Sequence, residues 1–504
     1  MENIIENALK KMEPAVLAAT LGTCANKSNK KRQLDDDDGD GDGSGNIPSA
    51  NKIRKPNEDV NLYSGWKVPS NKYEIPTIST SITPELFYKE YVSKRRPVVL
   101  RGSLEDLAHL QKWTNQYLKE SIKGKVMVEK RAESKASFGR GNEIPMSFTK
   151  FIDLIESGDD MHYLTTQDVQ ADEDGRPDLM ASFMKCLKND FPLRPKIVGN
   201  LVPQNINIWM GNNKEGASSG LHHDYHDNLY CVLRGKKRFR LFSPGDAEKM
   251  STRGKLVKVH ANGRINYEGE VTTAYGADLQ SDAAADASRA KDEAENRLLA
   301  AELAVKEGRD GAEEELEEAE RMLEEAMDAL IDIEMENDDR DEIDGDDEDD
   351  DDDEEKDVAL FGGQNEGINI RTDSGDDDDH VNGDISPAEN DNDDTENLCG
   401  RILVDKTVKN PDNFSLVPHH ILDNEEEIRS KYPKLMEAKV SFCEIEAGEI
   451  LYLPASWFHE VTSFGGHLAF NYWFHPPDAH DDFDNPYTTN FWSNDFKQRL
   501  VTLA

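Results

Sequence analysis

The sequence predicts a mainly β domain with flanking helices, assembled from two separated blocks and interrupted by a long acidic insert. Three observations carry this. Between Tyr73 and Gln167, capped helical segments alternate with short apolar strands, and from Ile206 onward strands dominate. Of the chain's 102 acidic and 59 basic residues, 48 and 9 fall within Ser281–Gly400, which leaves the remainder at a net charge of −4. The acidity is therefore a property of one segment, and that segment enters between two stretches that read as one domain.

Taken in order, residues 1–72 read as an N-terminal helix (about 1–22) and a flexible linker. The linker is marked by "DDDDGDGDGSGN" at Asp35–Asn46, whose charge and glycine content oppose burial. The domain proper occupies 73–270 and 403–504. In "TPELFYKEYV", Thr83 is placed to cap a helix that has Pro84 at its first position and Glu85 in its first turn. "RPVVLRG" (Arg96–Gly102) is a short apolar strand, and "LQKWTNQYLKESI" returns to helical spacing. "SFTKFIDLIES" (Ser147–Ser157) is a second capped helix, leading into the strand "MHYLTTQ" (Met161–Gln167).

The insert spans 271–402. Over about 282–337 it is rich in Ala, Glu, Leu and Arg, and Leu316, Ala319, Leu323, Ala326, Leu330 and Ile333 keep a 3-4 spacing. Fewer than three heptads are present, so a lone charged helix is expected, with a coiled-coil seam as the alternative. Beyond it, "DGDDEDDDDDEEKD" and "SGDDDDH" predict disorder, because they hold too few apolar residues to offset ordering.

Composition excludes several classes. Cys24, Cys186, Cys231, Cys399 and Cys443 are scattered without a CxxC pair, which opposes a disulfide framework or a thiolate zinc site and suits a reducing compartment. No apolar run approaches 18 residues, and the N-terminus lacks a long apolar core, so neither a membrane span nor a secretory signal is expected. Cytoplasm is the default location, with nuclear access open.

The chemistry concentrates in "LHHDYHDN" (Leu221–Asn228). As a strand continued to Tyr230, this stretch would set His222, Asp224, His226, Asn228 and Tyr230 on one face and His223, Tyr225 and Asp227 on the other. His222 and Asp224 then form a nitrogen/oxygen pair that lacks a third ligand. His459, in the strand–turn–strand segment "GEILYLPASWFHEV" (Gly448–Val461), is the candidate; the alternative is a core histidine satisfied by a backbone carbonyl. Together the three would make a 2-His-1-carboxylate facial triad, which suits a non-haem Fe(II) oxygenase. His226 lies four residues beyond His222, about 13 Å at strand rise, and is not expected to be a ligand.

"LRGKKRFRLF" (Leu233–Phe242) reads as a turn at Arg234–Gly235, then a strand with Lys237, Phe239 and Leu241 on one face and Lys236, Arg238 and Arg240 on a solvated one. A lysine among apolar neighbours calls for an anion, unless it snorkels to water. Tyr163 and Ser219 are candidates to add hydroxyl hydrogen bonds to that anion.

"LHHDYHDNLYCVLRGKKRFRLFSP", "GEILYLPASWFHEVTS…LAFNYWF" and "TPELFYKEYVSKRRPVVLRG" resemble the Jumonji-C, cupin-like oxygenases dependent on Fe(II) and 2-oxoglutarate, in particular the small lysyl-hydroxylase members. The likeness covers some 300 residues, all but the N-terminal tail and the insert. It implies a double-stranded β-helix (jelly-roll, cupin) fold, with His222, Asp224 and His459 as iron ligands. It also implies Lys237 and Tyr163 on the distal carboxylate of 2-oxoglutarate, with Ser219 where relatives have Thr or Ser. Asn228, Asn471 and Trp473 match pocket residues, and Trp209 a wall residue. The implied cofactors are Fe(II), 2-oxoglutarate as co-substrate, and O2.

The function this implies is protein hydroxylation on a lysyl side chain, with succinate and CO2 as co-products. Two alternatives stay open: N-methyl demethylation by the same chemistry, and a non-catalytic acidic binding or chaperone protein. Expected partners are a lysine-bearing protein substrate and basic proteins drawn to the insert, with a homodimer open; nucleic acid and membrane are not expected.

Overall fold

Local capping sets the N-terminal layer of the computed structural model, which describes residues 60–131, 141–172, 175–343, 411–479 and 481–503. Helix α1 (Pro84–Phe87) begins where the Thr83 hydroxyl accepts from the Leu86 N–H, and its chain continues as a π-turn over Tyr88–Val92. The second predicted helix divides in two. A 3₁₀ segment, Glu105–Lys112, ends as Trp113 leaves helical geometry, and Thr114 then caps α2 (Asn115–Ser121). Ser147 caps α3 (Phe148–Glu156), which buries Phe148, Phe151 and Ile152.

The strands in chain order are β1 (Tyr73–Glu74), β2 (Thr77–Ser79), β3 (Val98–Arg101), β4 (Lys125–Lys130), β5 (Asn142–Ser147) and β6 (His162–Leu164). There follow β7 (Pro203–Ser218), β8 (Asp227–Phe242), β9 (Leu256–Val259), β10 (Ile265–Tyr267), β11 (Ser441–Glu446), β12 (Glu449–Leu453) and β13 (Phe458–Phe474). The sheet order is β2-β3-β12-β8-β13-β7-β6-β4-β5, and β11 joins β1 to β8. The long antiparallel pair β8 and β13 forms the spine. The first half of β8 takes β12 as its other neighbour and the second half takes β11, so the sheet divides and wraps into a double-stranded β-helix.

Two expectations for this region are corrected. Leu221–His226 is not a strand: β8 begins only at Asp227, and His222 joins Phe414 and His459 through isolated bridges. The strand also does not turn at Arg234–Gly235. It runs through, with Gly235 at φ 77° opposite a bulge between Phe464 and Leu468 of β13. A Cβ at Gly235 would lie 2.8 Å from the Gly466 carbonyl oxygen, so only glycine fits. The bulge reverses the alternation of β8. Before it, Tyr230 and Val232 face the barrel core; after it, Phe239 and Leu241 do, and Lys237 shares their parity. Leu229 and Cys231 instead pack under the N-terminal helices with Val98, Leu100, Trp113, Phe151 and Phe470. On the opposite face after the bulge Lys236 and Arg238 are half-buried, and Arg240, expected in solvent, is buried, donating to the Leu422 carbonyl and pairing with Asp423.

The insert's lone helix is corrected to two. Asp278 caps α4 (Leu279–Lys306), and α5 (Ala312–Ile343) packs back against it. The chain reverses at Gly308 and Gly311, with φ of 71° and 81°, because side-chain-bearing residues disfavour that region. Ala287, Ala294 and Ala301 on α4, and Ala312, Ala319 and Ala326 on α5, are buried at seven-residue spacing and let the backbones approach. The expected N-terminal helix, the linker up to residue 59 and the expected disorder after the helical region lie outside the described residues. Residues 60–72, also expected as linker, instead pack on the domain, with Tyr63 and Val68 buried and the Leu62 N–H donating to the Val259 carbonyl. No helix among the described residues is long and apolar enough to cross a membrane.

Candidate metal centre

His222 and Asp224 sit on the loop before β8, and His459 is the second residue of β13. Backbone bonds close the two segments together. The His459 N–H donates to the His222 carbonyl at 2.6 Å, the His222 N–H returns the bond at 3.0 Å, and the Ser456 N–H donates to the Asp224 carbonyl at 2.7 Å. The third segment is the chain that returns from the insert. Asn413–Ser415 pairs with Leu221–His223, and the Phe414 ring stacks on His222 at 4.7 Å and 10°.

One donor atom from each of His222, Asp224 and His459 lies within 4.8 Å of the others, the one such group among the described residues. His222 Nε2 is 4.0 Å from one carboxylate oxygen of Asp224, and His459 Nε2 is 3.7 Å from the other. The Nδ1 atoms of both rings reach backbone carbonyls, Gly220 for His222 (3.0 Å) and Trp457 for His459 (2.8 Å). A carbonyl can only accept, so Nδ1 carries the proton and Nε2 presents its lone pair inward, as a metal requires. Burial and the neighbouring His459 push His222 down to about 4, so its ring is neutral at physiological pH. The donor set fits an iron-type ion. The carbonyl-satisfied reading of His459 is thus also true, of the other nitrogen.

Lys237 is 1% exposed, and its ammonium lies over the rings of Tyr230 (5.2 Å) and Tyr163 (6.0 Å). Burial lowers it to about 7, and no carboxylate of the described residues offsets that. Tyr163 crosses β7 at Gly211, where a Cβ would meet its ring at 2.6 Å, so the missing side chain makes room for it. Three other expected pocket residues form a chain that ends on the ligand. Trp209 Nε1 donates to Asn471 Oδ1 (2.8 Å), Asn471 Nδ2 to Asn228 Oδ1 (3.0 Å), and Asn228 Nδ2 reaches Asp224 at 3.4 Å. Trp473 packs edge-on to Trp209, with its indole N–H buried and unpartnered. The Ser219 hydroxyl is engaged with backbone, accepting from Val461 N–H (3.1 Å) and donating to the Gly220 carbonyl (3.0 Å). His226 stacks on Trp473 and meets His475 edge-on, away from the ligand group.

Sequence reasoning missed Phe414, which follows the insert without any motif. It also left Asp227 as a residue facing away. That residue is fully buried and bonded to Arg95, Tyr452 and Ala455.

Barrel, inward donor set and buried lysine together define a cupin-type domain with a group that could hold a metal ion. The family model described as "Cupin-like domain" matches residues 84–480. JmjC domain-containing protein 4 of Schizosaccharomyces pombe is 33% identical over 491 residues, covering 88% of this chain and 93% of that protein. Two shorter matches are the human bifunctional peptidase and (3S)-lysyl hydroxylase JMJD7 and lysine-specific demethylase JMJ32 of Arabidopsis thaliana. The first is 28% identical over 34% of this chain and 55% of that protein, the second 34% over 15% and 23%. The chain belongs to the cupin-like JmjC family, whose members are typically 2-oxoglutarate-dependent oxygenases.

Proposed function

We propose that this protein is an Fe(II)- and 2-oxoglutarate-dependent hydroxylase acting on a lysyl side chain of a protein substrate. The observation that carries the oxygenase chemistry is the pairing of the His222–Asp224–His459 donor set with an uncompensated, buried Lys237 in the same barrel. Support for lysine as the target comes from the relative named as a (3S)-lysyl hydroxylase.

Each group in the pocket has a distinct task. His222, Asp224 and His459 would hold the iron, with both tautomers fixed by backbone carbonyls. The Lys237 ammonium would gain a carboxylate partner from 2-oxoglutarate, which offsets the cost of burying it. The Trp209–Asn471–Asn228 chain would orient the Asp224 carboxylate. The chemistry that bound iron and 2-oxoglutarate supply with O2 is decarboxylation of the co-substrate to succinate and CO2, coupled to hydroxylation of a substrate C–H.

The test is turnover with Fe(II), ascorbate, 2-oxoglutarate and lysine-bearing protein fractions. Succinate release and a one-oxygen mass gain on lysine are expected, both lost in His222→Ala. Equal inactivity of native protein and variant would overturn the reading. Formaldehyde release from methylated lysine without stable oxygen gain would replace hydroxylation with demethylation, the reaction printed in the name of the Arabidopsis relative.

A further inference from the structure

The Asp227 carboxylate, 0% exposed, accepts four hydrogen bonds. Arg95 Nη1 donates at 2.8 Å and Nη2 donates to the other oxygen; the Tyr452 hydroxyl donates at 2.7 Å and the Ala455 N–H at 2.8 Å. Arg95, 1% exposed, uses its Nε on the Asn262 carbonyl at 2.9 Å. Asp227 comes three residues after Asp224, and Ala455 four before His459. Asp227 therefore bonds the chain that leaves the first two ligands to Tyr452 and Ala455, which lead into the third, while Arg95 braces the same carboxylate from a separate segment. Arg95, which pairs with the carboxylate, and Ser456, next to Ala455, hold φ of 54° and 59°, a region that non-glycine residues avoid unless their surroundings impose it.

We infer that Asp227, with Arg95 and Tyr452, is a positioning clamp that sets the spacing of the His222–Asp224 loop relative to His459. A buried ion pair is a poor source of net stability compared with apolar packing, but it selects one arrangement of the segments it joins. Here the carboxylate that Arg95 fixes also bonds Tyr452 and Ala455, which lead to His459. The carboxylate's four bonds go to the Arg95 guanidinium, the Tyr452 hydroxyl and the Ala455 N–H, and none of them to a side chain of the donor group. The inference rests on the reading of His222, Asp224 and His459 as a metal site.

The experiment is titration of the full chain with Mn(II), with free ion followed by electron paramagnetic resonance and fold by circular dichroism and thermal melting. One strongly held Mn(II) per native chain is expected. Asp227→Asn should weaken it by roughly 10- to 100-fold, the range for partners that orient metal ligands, and Tyr452→Phe by a few-fold. The control is Asp190→Asn. Asp190 is likewise buried, accepting from Trp113 and Tyr117 and pairing with Lys112 in the helical layer. It should lower Tm without changing Mn(II) affinity. If Asp227→Asn does not fold, Tyr452→Phe decides. Folded clamp variants that bind Mn(II) within twofold of native overturn the clamp and leave the metal centre standing. A native chain that binds no Mn(II) overturns the metal centre, and the clamp's role with it.

Discussion

His222 and His459, 237 positions apart in the chain, exchange backbone hydrogen bonds with each other, at 2.6 and 3.0 Å. The two imidazoles therefore stand on a single antiparallel rung, with ring centroids 4.3 Å apart. Their spacing is set by the backbone rung.

Removal of one ring should leave that rung intact. His459→Ala is expected to keep the native circular dichroism spectrum while Mn(II) affinity drops by at least 100-fold, because two donors rarely retain a divalent ion. Collapse of the fold in the variant would show that the ring, not the rung, organises the segment.

Lys237→Met should separate stability from function. It removes a buried cation that lacks a carboxylate, so the ligand-free protein should gain about 1–2 kcal/mol and melt a few degrees higher. Calorimetry should show 2-oxoglutarate binding weakened by at least 100-fold. A lower Tm would mean that the ammonium is already well paired in the free protein.

The same lysine predicts a pH dependence. Its folded value of about 7 lies below the ordinary lysine range, so the ammonium form dominates below pH 7 and is lost as pH rises. A carboxylate ligand prefers that form. Apparent 2-oxoglutarate affinity should be level below about pH 7 and fall by up to tenfold per pH unit above it, with proton uptake visible in buffers of differing ionisation enthalpy. For the free protein the sign is opposite: the burial penalty is full below pH 7 and is relieved as pH climbs toward the unfolded lysine value.

Gly235→Ala should be among the costliest single-methyl additions in this chain. The new Cβ would meet the Gly466 carbonyl in a backbone region closed to alanine, with an expected loss of about 1–3 kcal/mol. If the bulge relaxes, Lys237 turns outward and 2-oxoglutarate binding goes with it. An unchanged melt and unchanged binding would show the bulge to be incidental.

The hairpin should be separable from the site. Ala319→Glu places a charge in the α4–α5 seam, where Ala319 is 4% exposed, and should reduce helical signal while leaving Mn(II) affinity within twofold. A parallel loss of metal binding would tie the insert to the centre through the chain that carries Phe414.

How much of this was legible from residues alone varies along the chain. The caps at Thr83 and Ser147 were readable, because a side-chain acceptor directly precedes an apolar period, with Pro84 adding to the signal at Thr83. The candidate ligands and Lys237 were readable as residue types in motifs. The strand over Leu221–His226 was misread because its alternation is local, whereas the segment pairs only through isolated bridges of His222 to Phe414 and His459, which are remote in the chain. The α4–α5 reversal was missed because long acidic helices look continuous unless Gly308 and Gly311 are weighed as paired left-handed stops.

By itself, the sequence determined which chemistry-bearing side chains exist, where charge accumulates and which stretches alternate like strands, since these depend on neighbours within a few residues. Tertiary structure alone decided that His222 and His459 share a rung, that the Gly235 bulge brings Lys237 inward, and that Asp227 is buried against Arg95. Each of those depends on what lies across a sheet from a given residue. That partner is set by strand register over hundreds of positions, which no local pattern encodes.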